Sequence, residues 1–300
     1  MADTKPFCII STETASFLGE ETPTMAEYSV QKLLARLGEL KRNPNKKLGQ
    51  NFLVNQQIVA KIIAAAKLDR PTLEGQVIEI GPGLGALTEE LVKLDRTLLL
   101  IEMDRDWVTF WQAEGLDVIQ ADALRFDWSK VDRSVLVSNL PYQIAASLVV
   151  DLSVEDCAIN EMVLMFQKEV AAKITGRARS DDYSLLSVIS QTFWTISKVC
   201  EAGPKDFYPP PRVASRVLRF QKKVATELRV EERKRYLRFV KQAFSQRRKK
   251  LSSNLAQMAP PEDLTICFDQ MKINDNARAE ELSWQQYVEL FGRLMRKAAL

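Results

Sequence analysis

Short apolar runs alternate with amphipathic stretches through the middle of this chain. Val77–Ile80, Leu98–Met103, Val118–Gln120, Val135–Val137 and Met162–Phe166 are brief and strongly apolar, as buried strands are. Between them Ile58–Lys67, Leu87–Leu94, Arg105–Ala113 and Ala145–Leu152 repeat apolar positions at helical spacing. This alternation predicts an α/β fold with a doubly wound, mostly parallel sheet covered by helices on both faces. Two further β-rich runs, Phe193–Val199 and Val213–Phe220, flank Phe207-Tyr208-Pro209-Pro210-Pro211 and are expected to pair as an antiparallel edge. Upstream, Val30, Leu33, Leu34 and Leu37 predict a helix over Met25–Leu40, which Asn43-Pro44-Asn45 breaks. After about residue 226 the pattern is helical throughout, in Val230–Phe244, Arg248–Gln257, Leu264–Met271 and Trp284–Met295. Three regions follow: an N-terminal extension over 1–45 with one helix and a partly disordered tail, an α/β domain over 46–222, and a small all-helical domain over 223–300.

Composition narrows the class. A chain of 300 residues, 46% hydrophobic, exceeds one typical domain and can bury a sizeable core. It has no uninterrupted apolar run long enough to span a membrane and no charged-then-apolar leader. The acidic residues Asp3, Glu13, Glu20 and Glu21 argue against a transit peptide, so a soluble, cytoplasmic protein is expected. The cysteines Cys8, Cys157, Cys200 and Cys267 lie far apart and histidine is absent, so neither a metal site nor a disulfide framework is expected. The net charge of +3 hides an asymmetry: residues 1–40 hold three basic and six acidic side chains, which leaves about +6 for the remainder. Basic residues gather at Lys41-Arg42 with Lys46-Lys47, and from Arg229 to Lys250, ending in Arg247-Arg248-Lys249-Lys250. Such a run is either a solvated helix face or a polyanion contact.

The candidate chemistry sits at strand ends. Glu79-Ile80-Gly81-Pro82-Gly83-Leu84-Gly85 follows the first core strand and opens a helix, so its glycines can let backbone approach a ligand. Alone it could equally be a structural turn. Glu102 ends the second strand, where a carboxylate can bind both hydroxyls of a ribose or simply face water. Asp122, at the end of the third, can accept from an adenine amino group or cap a helix. Asn139 ends the fourth, within Asn139-Leu140-Pro141-Tyr142. Gly, Glu, Asp and Asn in succession at one sheet edge describe a site for an adenosine-containing cofactor, with the reacting atom at the fourth strand. The third glycine of a dinucleotide fingerprint is missing, because residue 86 is Ala. The Asn-Leu-Pro-Tyr tetrad suits methylation of an exocyclic amine: an Asn oxygen and a backbone carbonyl accept from the amino group, Pro stiffens the turn, and Tyr stacks on the base.

Together with Lys47-Leu48-Gly49-Gln50-Asn51-Phe52-Leu53, Gln167-Lys168-Glu169-Val170-Ala171, Phe207–Val213 and Phe244–Lys249, these motifs resemble the KsgA-type ribosomal RNA adenine dimethyltransferases, in order from about Lys46 to the C-terminus. The resemblance implies a Rossmann-like fold that binds S-adenosylmethionine. It also implies dimethylation of N6 on two adjacent adenosines near the 3′ end of 16S rRNA, in a 30S precursor. It places Asn51 and Leu53 over the donor, Gly81 at its amino-acid end, Glu102 at its ribose, Asp122 at its adenine, and Asn139 between donor and target. Leu140 would lend its carbonyl, and Tyr142 and Phe207 aromatic surfaces, although Phe207 read alone is equally a core residue. Arg247, Arg248 and Lys249 become candidate RNA contacts in a protein expected to act as a monomer. Tyr183 is followed by Ser184 where the family usually has Gly, which bears on local loop geometry. Two alternatives stay open: methylation of large-subunit RNA, and an RNA-binding assembly factor with catalysis secondary.

Overall fold

The computed structural model describes residues 25–40, 43–44, 50–68, 75–224 and 227–297. The expected tail and the basic residues Lys41, Arg42, Lys46 and Lys47 lie outside the described residues. The strands are β1 (Phe52–Leu53), β2 (Gln76–Ile80), β3 (Leu98–Glu102), β4 (Asp117–Gln120), β5 (Ser134–Ser138), β6 (Ile159–Gln167), β7 (Trp194–Ala202), β8 (Phe207–Tyr208) and β9 (Ser215–Lys222). The helices are α1 (Met25–Glu39), α2 (Gln56–Ala66), α3 (Thr88–Leu91), α4 (Arg105–Ala113), α5 (Tyr142–Val154), α6 (Lys168–Thr175), α7 (Leu185–Phe193), α8 (Val230–Ala243), α9 (Leu251–Leu255), α10 (Pro261–Met271) and α11 (Trp284–Lys297).

Seven strands form one sheet in the order β4-β3-β2-β5-β6-β9-β7. All neighbours from β4 to β6 are parallel, whereas β9 runs antiparallel to both β6 and β7. The expected antiparallel pair exists, and it also ties β9 to β6 through Met165↔Val217 and its neighbours. Side chains alternate between faces along each strand. Ile78, Leu136, Leu164 and Leu218 enter one core, while Val77, Val135, Val163 and Val217 enter a second, beneath α2. The C-terminal helices begin after β9 ends at Lys222, yet Tyr236, Phe239, Phe268 and Phe291 belong to the same continuous core as Ile78 and Phe220.

Several elements differ from the sequence reading. The helix expected over Leu87–Leu94 is only Thr88–Leu91, closed by a tight turn in which Leu94 N donates to Leu91 O at 3.1 Å. The helix expected to start at Arg248 starts at Leu251. Its three cationic residues instead lie in the turn before it, because Asn254 Nδ2 caps the end of α8 by donating to Ala243 O at 2.7 Å and Gln246 O at 3.1 Å. Helix α6 and the two-residue ribbon of β1 with β8 have no signal in the sequence pattern, and α7 takes in Phe193, which reads as strand. Ser184 is extended, with φ −156°, and its N–H donates to Ser187 Oγ at 3.0 Å, so the missing glycine costs no strain.

Candidate active site

A cavity of about 720 Å³ opens along the carboxyl ends of β4, β3, β2 and β5, on both sides of the point where the chain reverses its direction of winding. That position is where open α/β sheets bind ligands. Asp122, Glu102, Gly81 and Asn139 follow one another along its wall, each delivered by the strand before it. The edge is tied together by two backbone bonds and one side chain: Gly81 N donates to Ile101 O at 2.9 Å, Ala121 N to Glu102 O at 2.9 Å, and Ser138 Oγ to Ile80 O at 2.6 Å.

The glycine loop requires its glycines. Gly81, Gly83 and Gly85 all have positive φ, a region that strains other residues. A Cβ on Gly83 would stand 2.9 Å from Cε1 of Phe52, so the loop lies directly against the β1 segment.

Glu102 is nearly buried, and its Oε1 accepts from the consecutive amides of Met103 (2.8 Å) and Asp104 (2.9 Å). Burial raises its pKa, while the amides of Asp104, Met103 and Gly83 oppose the rise. Asp122 closes a local turn, its Oδ1 accepting from Leu124 N at 3.0 Å; no helix starts there for it to cap, and it lies on the cavity wall. Asn139 Nδ2 donates to Asn51 O at 3.3 Å. With the amide nitrogen committed in that direction, Oδ1 is the acceptor that Asn139 offers to a ligand. Tyr142 begins α5 behind Pro141, half-buried, with its hydroxyl 2.7 Å from Ser215 Oγ. Burial raises the pKa of this phenol, so the ring stays neutral.

Two sequence-selected residues stand differently. Phe207 does not line the cavity: its register partner in the ribbon is Leu53, and alternation sends both side chains into the core beneath α2. Phe52 and Tyr208, the other register pair, face the opposite core. Phe207 therefore packs behind Leu53, which does line the cavity. Arg247, Arg248 and Lys249 are fully on the surface, with Arg247 Nη2 donating to Asp181 O at 3.3 Å. Among the described residues, no carboxylate lies within ion-pair distance of Arg248 or Lys249.

Sequence reasoning missed Glu79 as a site residue. It lies in the cavity wall, 2% exposed, and accepts from Thr88 Oγ1 at 2.7 Å. Desolvation pushes its pKa up to about 8; the Thr88 hydrogen bond opposes this and the Glu102 charge adds to it. Only its depth in the fold marks it out.

The cavity suits an adenosine-based methyl donor. Two carboxylates, Glu102 and Asp122, line it at successive strand ends and can accept from hydroxyl or amino groups, a glycine loop admits close approach, and a buried carboxyl can answer a positive charge. Among the described residues no group of acidic and thiol side chains could hold a metal ion.

The sheet order, its single antiparallel strand and this edge define a Rossmann-like methyltransferase. The chain belongs to the ribosomal RNA adenine dimethylase family, which it matches over residues 41–296. It is 48% identical over 254 residues to ribosomal RNA small subunit methyltransferase A of Bdellovibrio bacteriovorus, across 82% of this chain and 90% of that one. Its identity to the protein of the same name from Syntrophotalea carbinolica is 38%, across 84% and 97% of the two chains. Among solved structures, a dimethyladenosine transferase from Plasmodium falciparum shares the fold with a TM-score of 0.68 at 24% identity, covering 82% of this chain and 98% of that one. The 23S rRNA methyltransferase ErmE aligns with a TM-score of 0.62 at 25% identity, over 82% and 100%.

Proposed function

We propose that this protein dimethylates N6 of two adjacent adenosines near the 3′ end of 16S rRNA, using S-adenosylmethionine, during assembly of the 30S subunit. We place it in the cytoplasm as a monomer; among the described residues no helix is long and apolar enough to cross a membrane. The observation that carries the reading is the orientation of Asn139: its amide nitrogen is tied to Asn51, and its oxygen is left for an amino group.

The bound donor supplies an electrophilic methyl group on a positive sulfonium. The chain's own work is to bind and to orient. Glu102, its carboxylate fixed by two backbone amides, takes the ribose, and Asp122 the adenine. Gly81 faces the donor's amino-acid end, and Asn51 and Leu53 close over the donor. Asn139 Oδ1 and the Leu140 carbonyl accept from N6 of the target, holding its lone pair out of the ring and toward the methyl carbon. The target base must leave its stack, at a cost of a few kcal/mol. Stacking on Tyr142 offsets about 1–3 kcal/mol of that. Once methylated, the nitrogen is cationic and strongly acidic, so its proton passes to water without a buried base; a chain lacking histidine is adequate.

The basic turn Arg247–Lys249 would hold the RNA backbone. ErmE keeps the large-subunit alternative in view, but the relative at 48% identity carries the small-subunit name. Asn139→Ala tests the assignment: donor affinity, measured by titration calorimetry, stays within about twofold while transfer falls by about a hundredfold or more. Parallel loss of both would remove Asn139 from the role given to it.

A further inference from the structure

The donor cavity has a wall that comes from outside the family match. Helix α1 ends at Glu39, before the matched residues 41–296 begin, yet Lys32, Leu33 and Arg36 line the cavity. Leu33 and Leu37 are buried in one cluster with Phe52, Leu84, Trp107 and Trp111, so the helix is docked by its apolar stripe.

Its polar side fastens the glycine loop. Arg36 Nη1 donates to Leu84 O at 2.8 Å and pairs with Glu89 Oε1 at 2.8 Å, and its guanidinium lies 5.5 Å from the centre of the Phe110 ring. Lys32 Nζ meets the other oxygen of Glu89 at 2.8 Å. The preceding carbonyl, that of Gly83, accepts from Trp111 Nε1 at 3.0 Å. Two consecutive carbonyls of the loop are thus held from the α1 and α4 side. Because the N–H and C=O of a peptide point in opposite directions, holding the carbonyls also fixes the aim of the amides of Leu84 and Gly85. A loop with positive φ at three glycines has much freedom to lose on ordering, and tethers that order it beforehand raise affinity for whatever it cradles.

We propose that Arg36 is a positioning residue for donor binding: from a helix outside the family match, it holds the glycine loop in the shape that receives the donor. This rests on the reading of the cavity as a S-adenosylmethionine site. The test uses the full chain and measures three things: S-adenosylmethionine affinity by titration calorimetry, thermal unfolding, and transfer to RNA with both substrates saturating. Losing a charge-assisted, partly buried hydrogen bond predicts that Arg36→Ala weakens donor binding about tenfold, with the saturated transfer rate unchanged and Arg36→Lys intermediate. Glu89→Gln cuts the same latch from the other side and is expected to weaken binding too, with the double variant no worse than Arg36→Ala alone. Donor affinity unchanged in Arg36→Ala overturns the proposal. A loss that appears only as a lowered melting temperature, with Glu89→Gln binding normally, overturns it as well. A wild-type protein that binds no donor would instead refute the reading of the site.

Discussion

Glu79→Gln is the most informative single change, because it isolates one buried carboxyl. Glu79 is fully enclosed, and its pKa stands at about 8 against an ordinary 4.5. The folded state therefore keeps a proton that the unfolded chain releases first. Stability conferred by the neutral acid is complete below about pH 4.5 and declines as pH rises toward 8, above which the loss is complete. A gap of about 3.5 between the two values, at 1.36 kcal/mol each, sets a ceiling of about 5 kcal/mol. Gln keeps the size of the group and an acceptor for Thr88 Oγ1, but it does not titrate. Denaturant unfolding of the donor-free protein from pH 5 to pH 9 is the assay. Wild type should lose several kcal/mol across that range, and the variant should be markedly flatter. Some slope remains in both, because burial also raises Glu102. If the two pH profiles ran parallel, Glu79 would be ionised or solvated in the folded protein and the reasoning would fail.

Other perturbations read different parts of the same structure. Neutralising Arg248 and Lys249 together should weaken binding to 16S rRNA and flatten its salt dependence by about two phosphate contacts; an unaltered slope would move the RNA to another surface. Asn254→Ala removes two hydrogen bonds that close the turn after α8, which should cost about 1–3 kcal/mol in denaturant unfolding. The same variant should loosen the basic turn, seen as faster amide exchange over residues 245–250. Binding of the cationic donor beside Glu79 at pH 7 should release a proton, detectable as a dependence of the calorimetric enthalpy on the buffer's own ionisation enthalpy.

The cavity wall is legible in the sequence because its parts are local. Gly81, Glu102, Asp122 and Asn139 each stand where an apolar run stops, and a parallel sheet aligns such endings without further information. What was not legible depends on contacts between distant segments. Phe207 shows its type but not its direction, which is set by pairing with Leu53 in a ribbon that joins residues far apart in the chain. Leu185–Phe193 is almost wholly buried and runs straight into Trp194, so no period separates α7 from β7, and Phe193 read as strand. The spacing of Leu33 and Leu37 predicts a helix but not that it docks on Trp107 and Trp111 beside the glycine loop. Glu79 looked like any acidic residue opening a turn, and its perturbation arises only from enclosure.

The decisive experiment incubates the protein with methyl-labelled S-adenosylmethionine and 30S particles from a strain lacking this methylation, then maps the RNA by mass spectrometry. The account predicts label as N6,N6-dimethyladenosine at two adjacent positions near the 3′ end of 16S rRNA. Label confined to large-subunit RNA in a parallel reaction, or none in 16S rRNA although the donor binds, would contradict it.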